Sequence, residues 1–130
     1  MVRQRAVAEV RTASRFTVVG LFATGVHVGT VWGLVKISVI APLIANLVAY
    51  LCAFAVSFTG QYLWTFRSTR SPFSALWRFL IVSLTAFAIN NAVLITLLDA
   101  RLLPGHWAAA VAVGVIPPIT YVLSRTWAMR

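Results

Sequence analysis

The chain has 130 residues, of which 61% are hydrophobic and only 10% charged, and it carries a net charge of +9. A soluble domain has about 25% charged residues, and a chain of this size has too little interior to hide so much apolar surface, so a bilayer is its natural solvent. The basic residues lie at the ends of apolar runs and form no continuous stripe, which argues against nucleic acid and for membrane topology and anionic lipid headgroups.

Residues 1–14 form a basic arm with Arg3, Arg5 and Arg11, expected as an interfacial helix or a tail, with Thr12 or Ser14 capping the helix that follows. The first span is expected from Arg15 to Val35, long enough to cross a hydrocarbon core of about 30 Å. Gly25, Gly29 and Gly33 recur every fourth residue and share one face, where another helix backbone can approach closely. Lys36, Ser38 and Pro42 mark a short turn, and the second span covers about Val39 to Leu63 with Pro42 in its first turn. The polar stretch Arg67-Ser68-Thr69-Arg70-Ser71-Pro72 leads into a short interfacial segment before Trp77. A third span follows from Arg78 to Leu98, then a turn from Asp99 to His106 punctuated by Pro104-Gly105. The fourth span, Trp107 to Trp127, is expected to bend or break at Pro117-Pro118, which remove two backbone donors.

The pattern therefore predicts an all-α integral membrane protein with four transmembrane helices, in which residues 15–130 form the membrane domain. A separation of 63 residues carries Arg15-Phe16 onto Arg78-Phe79, Val19 onto Val82, Ala23 onto Ala86, Trp64 onto Trp127 and Arg67 onto Arg130. We read this as two duplicated two-helix repeats, 15–67 and 78–130, in parallel topology about an axis along the membrane normal. Nine basic residues (Arg3, Arg5, Arg11, Arg15, Arg67, Arg70, Arg78, Arg125 and Arg130) fall on one side, against Lys36 and Arg101 on the other. The positive-inside rule then places both termini and the middle loop in the cytoplasm.

The inventory of reactive groups is short. Glu9 and Asp99 are the only carboxylates and are far apart in sequence, His27 and His106 lack metal-ligand neighbours, and Cys52 is single. The chain is expected to be no enzyme, with no metal site and no cofactor. Polar side chains inside hydrocarbon are costly and so point to function or to helix contacts. His27 lies near the middle of the first span and aligns with Asn90, which Asn91 follows. Asn46 lies in the outer third of the second span, while Gln61, Tyr62 and Arg125 lie at the cytoplasmic level. These residues either line a path for a polar group or satisfy one another across helices, a contact worth only about 0.6 kcal/mol.

Arg15-Phe16 followed by Val19-Gly20, the run Ser57-Phe58-Thr59-Gly60-Gln61-Tyr62-Leu63-Trp64-Thr65-Phe66, Arg78-Phe79, Asn90-Asn91 and the run Tyr121 to Trp127 together resemble the GtrA-like family over about residues 15–130. The resemblance implies a small protein of the bacterial inner membrane in polysaccharide or cell-envelope biosynthesis. It also implies translocation, or assistance of translocation, of a polyprenyl-phosphate-linked sugar. The alternative is a non-transporting scaffold for a membrane glycosyltransferase. The family pattern at the end of the second span, Asn-Phe…Asn-Arg-x-Trp-x-Phe, is met here by Ser57, Gln61, Tyr62, Trp64 and Phe66, so its arginine is replaced by Tyr62. Arg125 matches that arginine in the second repeat, and carry-over of a phosphate contact rests on it with Arg67 or Arg78 in support. The substrate-binding set implied is Arg125, Asn90, Asn91, His27, Gln61, Trp64, Trp127 and Arg78, with guanidinium groups beside tryptophans holding the anionic head. Arg70, in the loop, is expected to matter little. Expected partners are the lipid-linked sugar, anionic membrane lipids, and either further copies of the chain or a glycosyltransferase.

Overall fold

The computed structural model describes residues 2–37 and 41–130, apart from the side chains of Leu43, His106, Ala109 and Val113. It contains the helices α1 (Val2–Lys36), α2 (Pro42–Gly60), α3 (Pro72–Asp99) and α4 (Gly105–Leu123). α2 and α4 each run on into one π-helical turn, Gln61–Thr65 and Ser124–Ala128. Among the described residues there is no strand. The chain divides into two compact units, the first ending at Arg67 and the second beginning at Ser68.

Three helices among the described residues are long and apolar enough to cross a membrane: Val2–Lys36, Ile44–Thr65 and Pro72–Asp99. Only 11–17% of their apolar windows is buried within the chain. Leu21, Phe22, Trp32, Phe73 and Phe87 are all more than 60% exposed. A helix apolar on nearly every side is at home in lipid. The protein is an all-α, multi-pass membrane protein.

In the first unit α1 packs on α2 through Val19, Ala23, Ala45 and Ala49, all buried. The four-residue steps place each pair on one helix face, and the alanines let the backbones come close. The helices also meet closely at Gly60, where an added Cβ would lie 2.7 Å from Val19 Cγ1. In the second unit Phe79, Val82 and Ala86 of α3 and Ala108 and Ala112 of α4 are buried. Val82, Ala86, Ala108 and Ala112 stand 63 residues after Val19, Ala23, Ala45 and Ala49. The two π-turns, Gln61–Thr65 and Ser124–Ala128, are separated by the same interval.

Several local expectations are corrected. The arm is not a separate piece, because α1 starts at Val2 and runs unbroken to Lys36. Alanine, arginine and glutamine favour helix, and no proline interrupts the segment. Thr12 and Ser14 therefore cap nothing, and their hydroxyls donate back to the carbonyls of Ala8 (2.9 Å) and Val10 (2.8 Å). At 1.5 Å per residue α1 is about 52 Å long, more than the roughly 30 Å core requires, so its basic first turns extend beyond it. Pro72 to Trp77 is not a separate interfacial segment either, since Pro72 occupies the first turn of α3. That position suits proline because its missing N–H has no intrahelical acceptor there. Pro42 does the same in α2, as expected.

Of the bend or break expected at Pro117-Pro118, the break is absent: both prolines lie inside a continuous α4. The Thr120 hydroxyl lies within bonding distance of the carbonyls of Ile116 (3.0 Å) and Pro117 (3.1 Å), a back-bond within its own helix. Ser38, expected in the first turn, lies outside the described residues, as does the side chain of His106.

Candidate functional site

The last carbonyls of a helix have no intrahelical donor and attract cations. In the first unit the Trp64 carbonyl, in the π-turn after α2, is met by Arg15, whose Nη1 donates to it at 3.3 Å. The same guanidinium lies 5.2 Å from the centre of the Trp64 ring, within cation–π range. Beside this pair Gln61, 1% exposed, donates from Nε2 to the Phe16 carbonyl at 3.2 Å. Phe16 also packs against Phe66 with ring centres 6.1 Å apart. The wider π-turn closes with the Phe66 N–H on the Gln61 carbonyl at 2.9 Å. Gln61 Oε1 and Thr65 Oγ1 are buried without a partner among the described residues.

The second unit holds the same arrangement. Arg78 Nη1 donates to the Trp127 carbonyl at 3.1 Å, and the guanidinium lies 5.1 Å from the Trp127 ring centre. Its π-turn closes with the Met129 N–H on the Ser124 carbonyl at 2.9 Å, and Ser124 is fully buried. Each clamp arginine spends one of five N–H donors on the tryptophan carbonyl. With no further acceptor among the described residues, the remaining fork suits an anionic oxygen.

Arg125, expected from the resemblance to contact phosphate, is half-buried, donates from Nη1 to the Tyr121 hydroxyl at 3.0 Å, and lies 6.0 Å from that ring's centre. Arg78, not Arg125, sits on Trp127. Arg70 is more than a loop charge: it donates to the Ser74 hydroxyl at 3.5 Å and to the Arg130 carbonyl. The Ser68 hydroxyl donates to the Met129 carbonyl at 2.6 Å, so the residues before α3 are fastened to those after α4.

The mid-helix polar residues divide between the units. His27 Nε2 meets Asn46 Oδ1 at 3.2 Å, joining α1 to α2. Asn91 Nδ2 donates to the Phe87 carbonyl of its own helix at 2.8 Å. Asn90 Oδ1 is buried without a partner among the described residues. Thus Gln61 and Trp64 gather with Arg15 in the first unit, and Trp127 gathers with Arg78 in the second, while Arg125 is held by Tyr121. His27, Asn90 and Asn91 lie deeper along α1 and α3.

Sequence reasoning left Arg15 and Asn46 out of the binding set. Arg15 had a readable signal, its 63-residue relation to Arg78. Asn46 had its polarity within an apolar span as a signal but no repeat partner, since its counterpart at that interval is Ala109. Among the described residues no three His, Cys, Asp or Glu side chains come together to hold a metal.

No curated protein matches the chain. The sequence does match the family described as GtrA/DPMS, transmembrane domain, over residues 15–129. The match opens at Arg15 and takes in both arginine–tryptophan pairs, and proteins of the GtrA family are not themselves catalysts. With nearly its whole length covered, the chain belongs to the GtrA/DPMS transmembrane-domain family.

Proposed function

We propose that the protein moves, or helps to move, a polyprenyl-phosphate-linked sugar across the bacterial cytoplasmic membrane. The observation that carries this reading is the repeated clamp, Arg15 on Trp64 and Arg78 on Trp127, with matching bonds and ring distances. An indole beside a guanidinium suits a lipid whose anionic head lies at the interface and whose tail enters the hydrocarbon. Arg125 is a further phosphate ligand, and Gln61 orders the first clamp through Phe16. His27, Asn90 and Asn91 are polar stations deeper in the membrane.

This reading takes α4 as a fourth span and the units as duplicated two-helix repeats, each beginning and ending on the cytoplasmic side. The recurrence of buried positions, π-turns and clamps every 63 residues supports duplication. The nine-to-two bias of basic residues supports the orientation.

A second reading, a scaffold for a membrane glycosyltransferase or for further copies of the chain, is favoured by one observation. A Cβ added at Gly25, Gly29 or Gly33 would meet nothing within 4 Å among the described residues. That face of α1 is open for another helix.

Binding separates the two. The full chain in nanodiscs should bind farnesyl phosphoryl glucose, and Arg78→Gln should weaken binding about tenfold, the worth of one charge-assisted contact. Equal competition by phosphatidylglycerol would instead make the clamps ordinary lipid anchors.

A further inference from the structure

Away from the clamps, the first unit has an open groove of about 560 Å³ between α1 and α2, lined by His27, Val31, Trp32, Val35, Lys36 and Asn46. That volume is within the range of small-ligand sites. Arg15 and Lys36 are 21 residues apart on one helix, about 31 Å at 1.5 Å per residue. They therefore mark opposite ends of one hydrocarbon thickness, itself about 30 Å. The groove occupies the Lys36 half and reaches down to His27, roughly 13 Å below.

Its polar groups differ in kind along that depth. At the rim the Lys36 ammonium lies 4.5 Å from the Trp32 ring centre, a cation over an aromatic face. At the floor Asn46 Oδ1 accepts from His27 Nε2 at 3.2 Å. In the tautomer that makes this bond, Nδ1 of the ring is left as an acceptor and the Asn46 amide as a donor, and neither has another partner among the described residues. A phosphate only accepts hydrogen bonds, so the Lys36 ammonium suits it fully, whereas at the floor it would leave the imidazole acceptor unmet. A hydroxyl both donates and accepts, so the floor suits hydroxyls. The valines between offer nothing polar, and the exposed Trp32 indole offers a flat apolar face to a sugar ring.

We propose that this groove is a second binding site, holding the head of a glycosyl phosphate lipid with phosphate at Lys36, sugar against Trp32 and hydroxyls on the His27–Asn46 pair. The inference rests on the lipid-linked-sugar reading above and extends it to the far half of the membrane. A resting lipid carries its head outward from its phosphate. Hydroxyls deeper than the phosphate belong to a head still crossing, phosphate leading and sugar trailing.

The test uses the full chain in phosphatidylcholine nanodiscs with two probes, farnesyl phosphoryl glucose and farnesyl phosphate, the first also carrying a photoreactive diazirine on the sugar. Wild type should prefer the glucosylated probe by about tenfold, the worth of two hydroxyl contacts. Asn46→Leu should abolish that preference while keeping farnesyl phosphate binding. Lys36→Gln, an exposed change that does not touch the fold, should weaken both probes. The sugar should cross-link to the peptide containing Val31 and Trp32. If wild type binds the glucosylated probe but Lys36→Gln binds it equally well and the cross-links lie elsewhere, the groove assignment is overturned while the lipid-linked-sugar reading stands. If wild type binds neither probe, both fall. Should Asn46→Leu fail to fold, Lys36→Gln and the cross-link decide.

Discussion

Arg78 covers the Trp127 ring at 5.1 Å and donates to the carbonyl of that same residue at 3.1 Å, so one guanidinium caps the end of a helix and stacks on its last indole. A lysine can place a charge there but cannot stack its plane or present a fork. In a double-mutant cycle of Arg78→Gln and Trp127→Leu, the coupling in detergent unfolding should be about 0.5–1 kcal/mol, the usual worth of an exposed cation–π pair. Additive single effects would mean that the two side chains do not cooperate. The same cycle on Arg15 and Trp64 should return a similar value.

Gly60 faces Val19 so closely that a new Cβ would sit 2.7 Å from a valine methyl. Gly60→Ala should therefore destabilise the first unit by about 1–3 kcal/mol. Val19→Ala should recover part of that loss by removing the methyl that collides. A tolerated Gly60→Ala, measured by thermal unfolding, would show that α1 and α2 are not packed this tightly.

Gly29 is the contrasting case, with nothing among the described residues within 4 Å of its added Cβ. Gly29→Leu should leave the unfolding temperature nearly unchanged and reduce self-association or partner capture, read as a shift in the mass of the detergent complex. An unchanged complex together with unchanged transport would remove the glycine face from the account.

What the sequence made legible follows from how local each signal is. Apolar runs marked the three helices long enough to cross a membrane, Pro42 marked a helix start, and the Arg-Phe and Trp-x-x-Arg pairs every 63 residues marked the residues that meet in the clamps without showing that they meet. The π-turns left no trace in composition, because Gln61 owes its burial to the Phe16 carbonyl 45 residues away. The His27–Asn46 bond likewise joins residues whose depth was readable but whose facing was not. Thr12 and Ser14 misled because a hydroxyl that caps a helix in water can equally bond back to its own helix. Pro117-Pro118 allowed either a bend or a break, and donor loss alone did not say which: α4 stays helical through both prolines although the Val113 and Gly114 carbonyls lose their i+4 donors.

Orientation can be read by cysteine labelling on a Cys52→Ala background, since Cys52 is free and exposed. Thr69→Cys is the better reporter of the middle loop, because Thr69 is exposed whereas the neighbouring Ser68 hydroxyl is bonded to Met129. Thr69→Cys should react only with reagents that reach the cytoplasm, and Leu102→Cys with impermeant reagents from outside. The opposite pattern would invert the topology.

The central claim is that the arginine–tryptophan clamps handle the phosphate of a lipid-linked sugar, and transport across a sealed bilayer tests it most directly. Proteoliposomes containing the full chain should carry farnesyl phosphoryl glucose from the outer to the inner leaflet faster than protein-free vesicles. Arg78→Gln and Arg125→Gln, at matched incorporation, should each slow that transfer about tenfold, as expected for loss of a charged phosphate ligand. Excess phosphatidylglycerol should leave the wild-type rate unchanged. Transfer no faster than in empty vesicles, full activity in both variants, or equal competition by phosphatidylglycerol would contradict the account.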